Sequence, residues 1–293
     1  MWTAIALALL FASPHPPAPN PPLKVFISVD MEGINGIVAA DQLGPQGSEY
    51  GRARKLMVEE VNRAIEGALA AGATDILVND SHGTMRNLLL EDLKPPARLL
   101  SDSFKPNGMM QGLDDSFAAV LFIGYHARAG SPVGVRAHTG SGVLADLKIN
   151  GKRVGEGGMN IFYAASFGVP VVLITGDQVA AAQTRELAPD IEAVVVKEAV
   201  NTRAAIYQPL EASRAAIRAA AEHAVSNRAA HHAPTLAPPF TFEVTLSTAA
   251  HADVAEQIPT VTRTGSQSVA YTTNDFRAGY RLLRVLYRFL NVD

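Results

Sequence analysis

An apolar run that stops at acidic residues decides the fold of this chain: Leu23-Lys24-Val25-Phe26-Ile27-Ser28-Val29, followed by Asp30-Met31-Glu32-Gly33. Two further runs end in the same way. Ile76-Leu77-Val78 leads into Asn79-Asp80-Ser81-His82-Gly83, and Ala118-Ala119-Val120-Leu121-Phe122-Ile123-Gly124 leads into Tyr125-His126. Short apolar runs with helical sequence between them predict parallel strands of an α/β sheet. Because such sheets bind ligands beyond the carboxyl ends of their strands, we expect these carboxylates and imidazoles to share one edge.

Outward from these runs, helical and strand patterns alternate along the chain. Helical spacing of apolar residues predicts helices over 49–71, 157–167, 180–187, 209–226 and 274–290. Further strands are predicted over 75–78, 170–177, 193–196 and 240–246, with a hairpin over 148–154 that turns at Asn150-Gly151. The sequence therefore predicts an α/β fold with a mostly parallel sheet flanked by helices and a smaller C-terminal α/β region.

Composition shifts along the chain predict its division into parts. Residues 1–22 combine an apolar start with a proline-rich stretch, and a polar linker over 227–239 separates two better patterned regions. We expect a probable signal and proline-rich extension over 1–22, a metal-binding catalytic domain over 23–226 and the smaller region over 240–293.

The N-terminal segment indicates export. Its apolar part, residues 1–11, suits the core of a secretory signal and is too short for a spanning helix, which needs about 20 residues. No Lys or Arg precedes this core, so the alternative is an unusual extension on a cytoplasmic protein. We expect a periplasmic or extracellular protein without stable membrane insertion.

Overall composition excludes several classes of function. The chain has 293 residues, a formal net charge of −3 and no clustered Lys and Arg, so it lacks the basic footprint of a nucleic-acid-binding protein. It has no cysteine, which excludes disulfides, thiolate nucleophiles and Cys-ligated zinc. Any metal site must be built from His, Asp and Glu, a ligand set that favours Zn²⁺ or Mn²⁺.

The residues after the first three strands are candidate metal ligands. Asp30 and Glu32 stand two positions apart where a strand ends, so the pleat would place both carboxylates on one side, where a divalent cation relieves their repulsion. The alternative is a plain turn or helix cap. His82 and His126 each follow a strand, and each alone also fits an ordinary turn or core histidine. Asp80, with Asn79 beside it, is a candidate to orient an imidazole through its other ring nitrogen.

Three more residues belong to the same predicted edge. His138 lies in a Gly- and Ser-rich loop and could transfer protons, stabilise an oxyanion or simply lie at the surface. Glu156 is either a ligand or a helix-start carboxylate. Asp177 ends another strand at the same edge, and because the family resemblance described below implies no ligand role for it, we expect it to be structural or to support a ligand. Two carboxylates, two imidazoles and one further glutamate suffice for two three-ligand sites that share a bridging carboxylate. Such a metal pair is common in hydrolases.

Five ordered motifs then resemble a known family, the self-compartmentalising dinuclear zinc D-aminopeptidases of bacteria. They are Ser28-Val29-Asp30-Met31-Glu32-Gly33-Ile34, Val78-Asn79-Asp80-Ser81-His82, Gly112-Leu113-Asp114-Asp115-Ser116-Phe117, Gly124-Tyr125-His126-Ala127-Arg128 and Val154-Gly155-Glu156. The resemblance runs from about Lys24 to near the C-terminus. It implies a homo-oligomer of stacked pentameric rings.

The resemblance also implies roles for individual residues. Asp30 would bridge two Zn²⁺ ions per subunit. Glu32 and His126 would complete one site, and His82 and Glu156 the other. His138 falls where the family has its catalytic histidine. This chain has Ala137-His138-Thr139 where the family often has a histidine between serines, in a loop that is about a residue longer.

Together these observations predict a zinc-dependent aminopeptidase that removes N-terminal residues, above all D-Ala, from short peptides or amides. Handedness rests on the resemblance alone. Two alternatives remain at this stage. The same metal pair serves a non-peptide amidase or a phosphoesterase, for which Arg128 and Arg136 near the edge would be clamps. A non-catalytic dipeptide-binding protein would bind without turnover.

Overall fold

The computed structural model of the chain describes residues 22–290 and 292. All of the predicted N-terminal extension except its last residue lies outside these residues. The strands are β1 (Lys24–Val29), β2 (Asp75–Asp80), β3 (Arg98–Leu100), β4 (Ala119–Tyr125), β5 (Leu144–Ile149), β6 (Lys152–Arg153), β7 (Val171–Asp177), β8 (Glu192–Ala199), β9 (Ala205–Tyr207), β10 (Phe240–Leu246), β11 (Thr262–Arg263) and β12 (Ser268–Thr273). The α-helices are α1 (Tyr50–Ala70), α2 (Glu156–Ala165), α3 (Gln178–Arg185), α4 (Leu210–Ser226), α5 (Ala249–Ala255) and α6 (Phe276–Phe289).

Seven strands form the main sheet in the order β3-β2-β1-β4-β7-β8-β9. All neighbours run parallel except β8 and β9, which pair antiparallel. The chain builds outward from β1 to β2 and β3 and then returns to place β4 on the other side of β1. This reversal is a topological switch point, where open α/β sheets leave a crevice for ligands.

Burial on both faces explains why the central strands read as continuous apolar runs. Every residue of β4 and β7 is buried. Helices α1 and α4 cover one face, where Leu56, Val61 and Ile217 pack against Ile27 and Leu121. The other face packs against α2, α6 and a second sheet. In a parallel sheet the crossover helices cover both faces, so the side chains on both faces of the central strands are apolar. The predicted fold class is confirmed.

The second sheet has five antiparallel strands in the order β11-β12-β10-β5-β6. Of its C-terminal strands, β10 pairs with β5, and β5 pairs with β6. Both β5 and β6 precede the predicted linker, so the hairpin of the first region completes the sheet of the second. The division into domains stays a prediction. The strand β12 and the helix α5 were not expected from the sequence, whose short, mixed patterns there gave no clear period. Across the part of the chain that the structure describes, no helix has both the length and the apolar character needed to cross a bilayer.

Candidate metal centre

The site lies at the switch point, where the ends of β1 and β4 approach each other closely. Two glycines permit this approach. A Cβ on Gly33 would lie 2.1 Å from the Tyr125 carbonyl oxygen, and one on Gly124, which has a φ of +72°, would lie 2.2 Å from that of Asp30. A side chain at either position would force the two strand ends apart. The glycines therefore bring the residues after β1 against His126.

Asp30 and Glu32 both face the site, but a turn places them there. Strand β1 ends at Val29, and the chain turns over residues 31–33. The predicted continuation of the pleat was wrong, although its consequence, two carboxylates side by side, is observed. Asp30 Oδ1 accepts a hydrogen bond of 2.8 Å from the Met31 amide. Both side chains are almost fully buried.

His82 presents Nδ1 to these carboxylates. Its Nε2 donates to the Leu43 carbonyl oxygen at 2.7 Å, which leaves Nδ1 with a lone pair in the neutral ring. Nδ1 lies 3.2 Å from Asp30 Oδ1 and 2.8 Å from Glu32 Oε2. A lone pair aimed at two carboxylate oxygens requires a proton or a cation between them.

The prediction that Asp80 or Asn79 orients this imidazole was wrong. Asp80 accepts hydrogen bonds from the backbone amides of Asn87 and Leu88 and from the Asn87 side chain, at 2.5–2.8 Å. It therefore fixes the loop that follows His82. The ring is oriented by a backbone carbonyl from a distant loop, which no local pattern in the sequence could show.

His126 repeats the arrangement of His82 with its nitrogens exchanged. Its Nδ1 donates to the Ala127 carbonyl oxygen at 2.9 Å, so Nε2 carries the free lone pair. Nε2 lies 3.3 Å from Asp30 Oδ2 and 3.2 Å from Glu156 Oε2. Glu156 begins α2, where the helix dipole favours a carboxylate, and its Oε1 accepts from the Gly140 amide at 2.6 Å.

Three buried atoms at the centre of the site have no hydrogen-bond partner among the described residues: Asp30 Oδ2, Glu32 Oε2 and His126 Nε2. Each is near another of these groups but outside hydrogen-bond geometry. Ligand atoms of the same three residues lie within 4.8 Å of one another. Buried polar atoms normally find partners. Oxygens and a nitrogen that converge in this way fit a divalent cation of the Zn²⁺ type.

The electrostatics of the site point to the same conclusion. Burial raises the pKa of Asp30, but the adjacent His126 and His82 hold that pKa well below its usual range. Burial likewise opposes ionisation of Glu156, yet the charge of His126 lowers its pKa to about 2. The pKa of Glu32 is also lowered, by His82 against the effect of burial. Burial lowers the pKa values of His82 and His126, but the carboxylates in turn raise them well above their usual range, so without a cation each imidazole holds a proton between them. A divalent cation bound by these side chains would replace those protons and use the freed lone pairs.

His138 stands beside the predicted ligands but is more open to solvent. Its Nδ1 donates to the Arg136 carbonyl oxygen at 2.9 Å, and its ring stacks on His126 with centroids 4.1 Å apart. The free Nε2 lies 3.5 Å from Glu156 Oε1. About a third of the side chain is exposed, so this nitrogen can exchange protons with a bound molecule.

All six predicted site residues thus meet at one place. The trio predicted for one metal, Asp30, Glu32 and His126, forms a close group, and His126, His138 and Glu156 form another. His82 faces Glu32 more closely than Glu156. The assignment of residues to two separate metals stays a prediction.

Two buried lysines that the sequence analysis missed support the ligand loops. Lys197 Nζ donates to the carbonyl oxygens of Glu32, Ile34 and Ile37 at 2.5–2.8 Å. These three hydrogen bonds hold the loop after β1 in place. Burial lowers the pKa of Lys197 to about 8. Lys105 Nζ donates to Asn79 Oδ1 and to the Asp80 carbonyl oxygen at the end of β2. A lysine in an otherwise apolar run, as in Val194-Val195-Val196-Lys197, is the signal that would have revealed the first.

A cavity of about 310 Å³ opens in front of the ligands. Asp30, Glu32, His82, His138 and Glu156 line one side, and Arg284, Tyr287 and Arg288 of α6 line the other. The sequence analysis missed this second side. Arg284 occupies a position of α6 whose neighbours one turn away, Tyr280 and Tyr287, are buried. A charged residue on the apolar face of a helix was the available signal.

Asp177 has the structural role expected for it. Its Oδ1 accepts from the amides of Val179 and Ala180, which caps α3, and its Oδ2 accepts from the Val135 amide at 2.7 Å. Because the backbone uses both oxygens, this carboxylate does not face the cation site.

Comparison with known proteins gives one consistent result. A family model described as "Peptidase_M55: D-aminopeptidase" matches residues 23–285. A D-aminopeptidase of Bacillus subtilis is 35% identical over 268 residues, which are 90% of this chain and 96% of that protein. A solved structure, the Zn-dependent D-aminopeptidase DppA from Bacillus subtilis, described as a self-compartmentalizing protease, superposes with a TM-score of 0.89 at 33% identity. The match covers 92% of this chain and 98% of that one.

Proposed function

The chain belongs to the peptidase M55 family of D-aminopeptidases, and from this premise we propose that it removes N-terminal D-Ala from short peptides or amides with the help of zinc. One observation carries the proposal beyond family membership. Asp30 Oδ2, Glu32 Oε2 and His126 Nε2 are buried and unpaired within the described residues, and they belong to side chains whose ligand atoms converge at one point.

We assign two Zn²⁺ ions per subunit to the five acid and imidazole side chains. Asp30 would be shared by both ions, Glu32 and His126 would hold one of them, and His82 and Glu156 would hold the other. The fixed tautomers support this assignment, because a backbone carbonyl holds one nitrogen of each ring and leaves the other free to bind. When bound, zinc would supply an activated water and would polarise the carbonyl of the bond to be cleaved.

His138 manages protons at this site. Its Nδ1–H is committed to the Arg136 carbonyl oxygen, so Nε2 alone faces the cavity. From there it can take a proton from the attacking water and return it to the leaving amine, or donate to a developing oxyanion. The stacking on His126 and the neighbouring Glu156 fix the ring while leaving Nε2 accessible.

Paired dipeptides test the proposed reaction. Zinc-reconstituted protein is incubated with D-alanyl-D-alanine and with L-alanyl-L-alanine, with and without a chelator. Cleavage of the D pair alone, abolished by the chelator, is the expected result. Cleavage of the L pair as well would support a metallopeptidase but contradict its selectivity for D residues. Zinc binding without cleavage of either pair would contradict the proposal.

Assembly and location are separate parts of the proposal. The relative of known structure is self-compartmentalizing, and we propose that this chain also forms a homo-oligomer of stacked pentameric rings. Sedimentation at several protein concentrations tests this, and a monomer throughout would contradict it. We further propose export, on the strength of the apolar N-terminal run. Recovery of the protein in the cytosolic fraction alone would contradict that.

A further inference from the structure

The cavity in front of the metal centre has two walls of opposite charge. Carboxylates of the ligand loops line the inner wall, and Arg284 and Arg288 of α6 line the outer one. The two walls are connected through Tyr287, whose ring packs against Gly140, and the Gly140 amide donates to Glu156 Oε1. A small molecule in this cavity therefore touches the ligand residues at one end and the guanidinium groups at the other.

Arg284 is buried without an anionic partner. Its exposed fraction is 2%. Within the described residues, Arg284 forms no ion pair, and its Nε has no hydrogen-bond partner. In the described part of the chain, its one side-chain hydrogen bond is a long one, from Nη1 to the Tyr287 hydroxyl at 3.4 Å. An unpaired charge in the interior is strongly unfavourable, and an anionic ligand would relieve that cost.

The surroundings of Arg284 hold its guanidinium in place. Gly108 has a φ of +50°, and a Cβ there would lie 1.6 Å from Arg284 Nη1, so the backbone leaves room that only glycine allows. The rings of Phe104 and Tyr287 lie 5.6 and 5.9 Å from the guanidinium carbon. These contacts position the guanidinium without neutralising it, which prepares it for an anion from outside.

The helix that carries Arg284 is itself tied to the metal centre. The Tyr280 hydroxyl donates to Asn160 Oδ1 at 2.7 Å, and Asn160 Nδ2 donates to the Tyr125 hydroxyl at 3.0 Å. Tyr125 immediately precedes the ligand His126. A chain of buried hydrogen bonds therefore fixes the separation between the metal centre and the guanidinium, and a fixed separation selects ligands by length.

We propose that Arg284 binds the C-terminal carboxylate of the substrate and thereby selects dipeptide-sized peptides with a free C-terminus. This inference rests on the proposed function, which places the peptide's amino end at the metals. A guanidinium can match a carboxylate with two parallel N–H···O bonds, and Arg284 lines the cavity in which the peptide would lie. The size of the cavity, about 310 Å³, limits how much peptide can lie between the two ends.

Two substrates and two variants test this inference. The substrates are D-alanyl-D-alanine and its C-terminal amide, which differ only in the negative charge. The variants are Arg284→Met and, as a matched control, Arg281→Met, an exposed arginine on the same helix that does not line the cavity. For the wild-type enzyme we expect kcat/KM for the acid to exceed that for the amide roughly tenfold or more.

In Arg284→Met that preference should disappear. We expect the acid to lose roughly ten- to a hundredfold in kcat/KM, mostly through KM, while the amide changes by about threefold or less. Arg281→Met should keep the preference. Because the substitution removes a buried unpaired charge, the melting temperature of Arg284→Met should equal or exceed that of the wild type.

Other results would overturn the inference and leave the proposed function standing. These are equal cleavage of acid and amide by the wild type, or an equal loss on both substrates in Arg284→Met with a lowered melting temperature, which would give Arg284 a structural role. If the variant does not fold, the ratio of kcat/KM for the acid to kcat/KM for the amide in the wild type still tests whether the C-terminal carboxylate is recognised. Failure of the wild type to cleave either substrate would instead refute the proposed function. Arg284-dependent hydrolysis of p-nitrophenyl phosphate would assign the guanidinium to phosphate.

Discussion

The two walls of the cavity hold their charges in different ways. We call the inner wall, with Asp30, Glu32, His82, His138 and Glu156, the sheet wall, and the outer wall, with Arg284, Tyr287 and Arg288, the helix wall. On the sheet wall, carboxylates alternate with imidazoles, and backbone groups fix them, as the Met31 amide fixes Asp30 and the Gly140 amide fixes Glu156. On the helix wall, the charge of Arg284 meets, among the residues that the structure describes, only a hydroxyl at 3.4 Å and two aromatic rings. The sheet wall is thus complete once cations are added. The helix wall is complete only when a ligand brings an anion.

This difference separates two functions within one cavity. Removing a sheet-wall ligand should remove metal, and with it the reaction on every substrate. Removing the helix-wall guanidinium should leave metal in place and change only which substrates are bound. The following substitutions test whether the two walls act separately, and how the sheet wall is supported.

The largest effect is expected from the ligands. Glu32→Ala and His126→Ala should lower the zinc content and reduce kcat/KM by roughly 10⁴-fold or more, because the metal contributes several kcal/mol to the reaction. Zinc per subunit is measured by atomic absorption. Asp177→Asn is the matched control, since Asp177 ends a neighbouring strand but caps a helix, and it should keep its zinc. Arg284→Met should also keep its zinc. Unchanged zinc in both ligand variants would exclude these residues as ligands.

The next effect concerns His138. His138→Gln should lower kcat by roughly 10²- to 10³-fold, because proton transfer is lost while the metal site remains. Zinc content should stay at the wild-type level. Since His138 lies within 4.8 Å of His126 and Glu156, loss of zinc in this variant would make it a ligand and contradict its assignment to proton transfer.

A smaller effect is expected below the sheet wall, at Lys197. In Lys197→Met, three buried carbonyl oxygens of residues 32–37 lose their donor, and the loop that carries Glu32 loosens. We expect zinc affinity to fall by roughly ten- to a hundredfold. Competition with a chromophoric chelator measures this on variant protein shown by circular dichroism to be folded. Lys55→Met, on the exposed face of α1, is the control. Equal affinity in folded Lys197→Met and wild type would show that the lysine serves stability alone.

The smallest expected effect concerns stability and not the reaction. Burial raises the pKa of Glu60 from 4.5 to about 7. Between these values the folded state keeps a proton that the unfolded state releases, so this group's contribution to stability is full below pH 4.5 and is lost as pH rises towards 7.

Glu60→Gln should remove that dependence. The difference in unfolding free energy, wild type minus variant, should fall by roughly 3 kcal/mol over this window, from the shift multiplied by 1.36 kcal/mol per pKa unit. Urea unfolding of both proteins near pH 5 and near pH 8 measures it. A difference that stays constant, or that rises with pH, would show that Glu60 is ionised in the folded protein.

Much of the sheet wall could be predicted because it follows from local pattern. Asp30, Glu32, His82 and His126 each come within a few residues of the end of an apolar run, and parallel strands bring such ends together. The orientation of the imidazoles could not be predicted. Leu43 holds the ring of His82 from a separate loop, whereas the nearby Asp80 holds a different segment.

The sequence by itself determined the order of the main strands and helices, β12 and α5 excepted, the absence of thiolate chemistry and the set of acid and imidazole residues at one edge. The spacing of apolar residues, the residues at which strands end and the composition all depend on neighbours in the sequence, so the sequence alone predicts them. The tertiary structure alone decided the helix wall and the supporting lysines. Arg284 lines the cavity together with residues more than 120 positions earlier in the chain. Lys197 donates a hydrogen bond to a loop residue 160 positions earlier. Within the described residues, Arg284 is buried without an anionic partner and Lys197 is buried against three carbonyl oxygens. Neither environment exists until distant segments pack together.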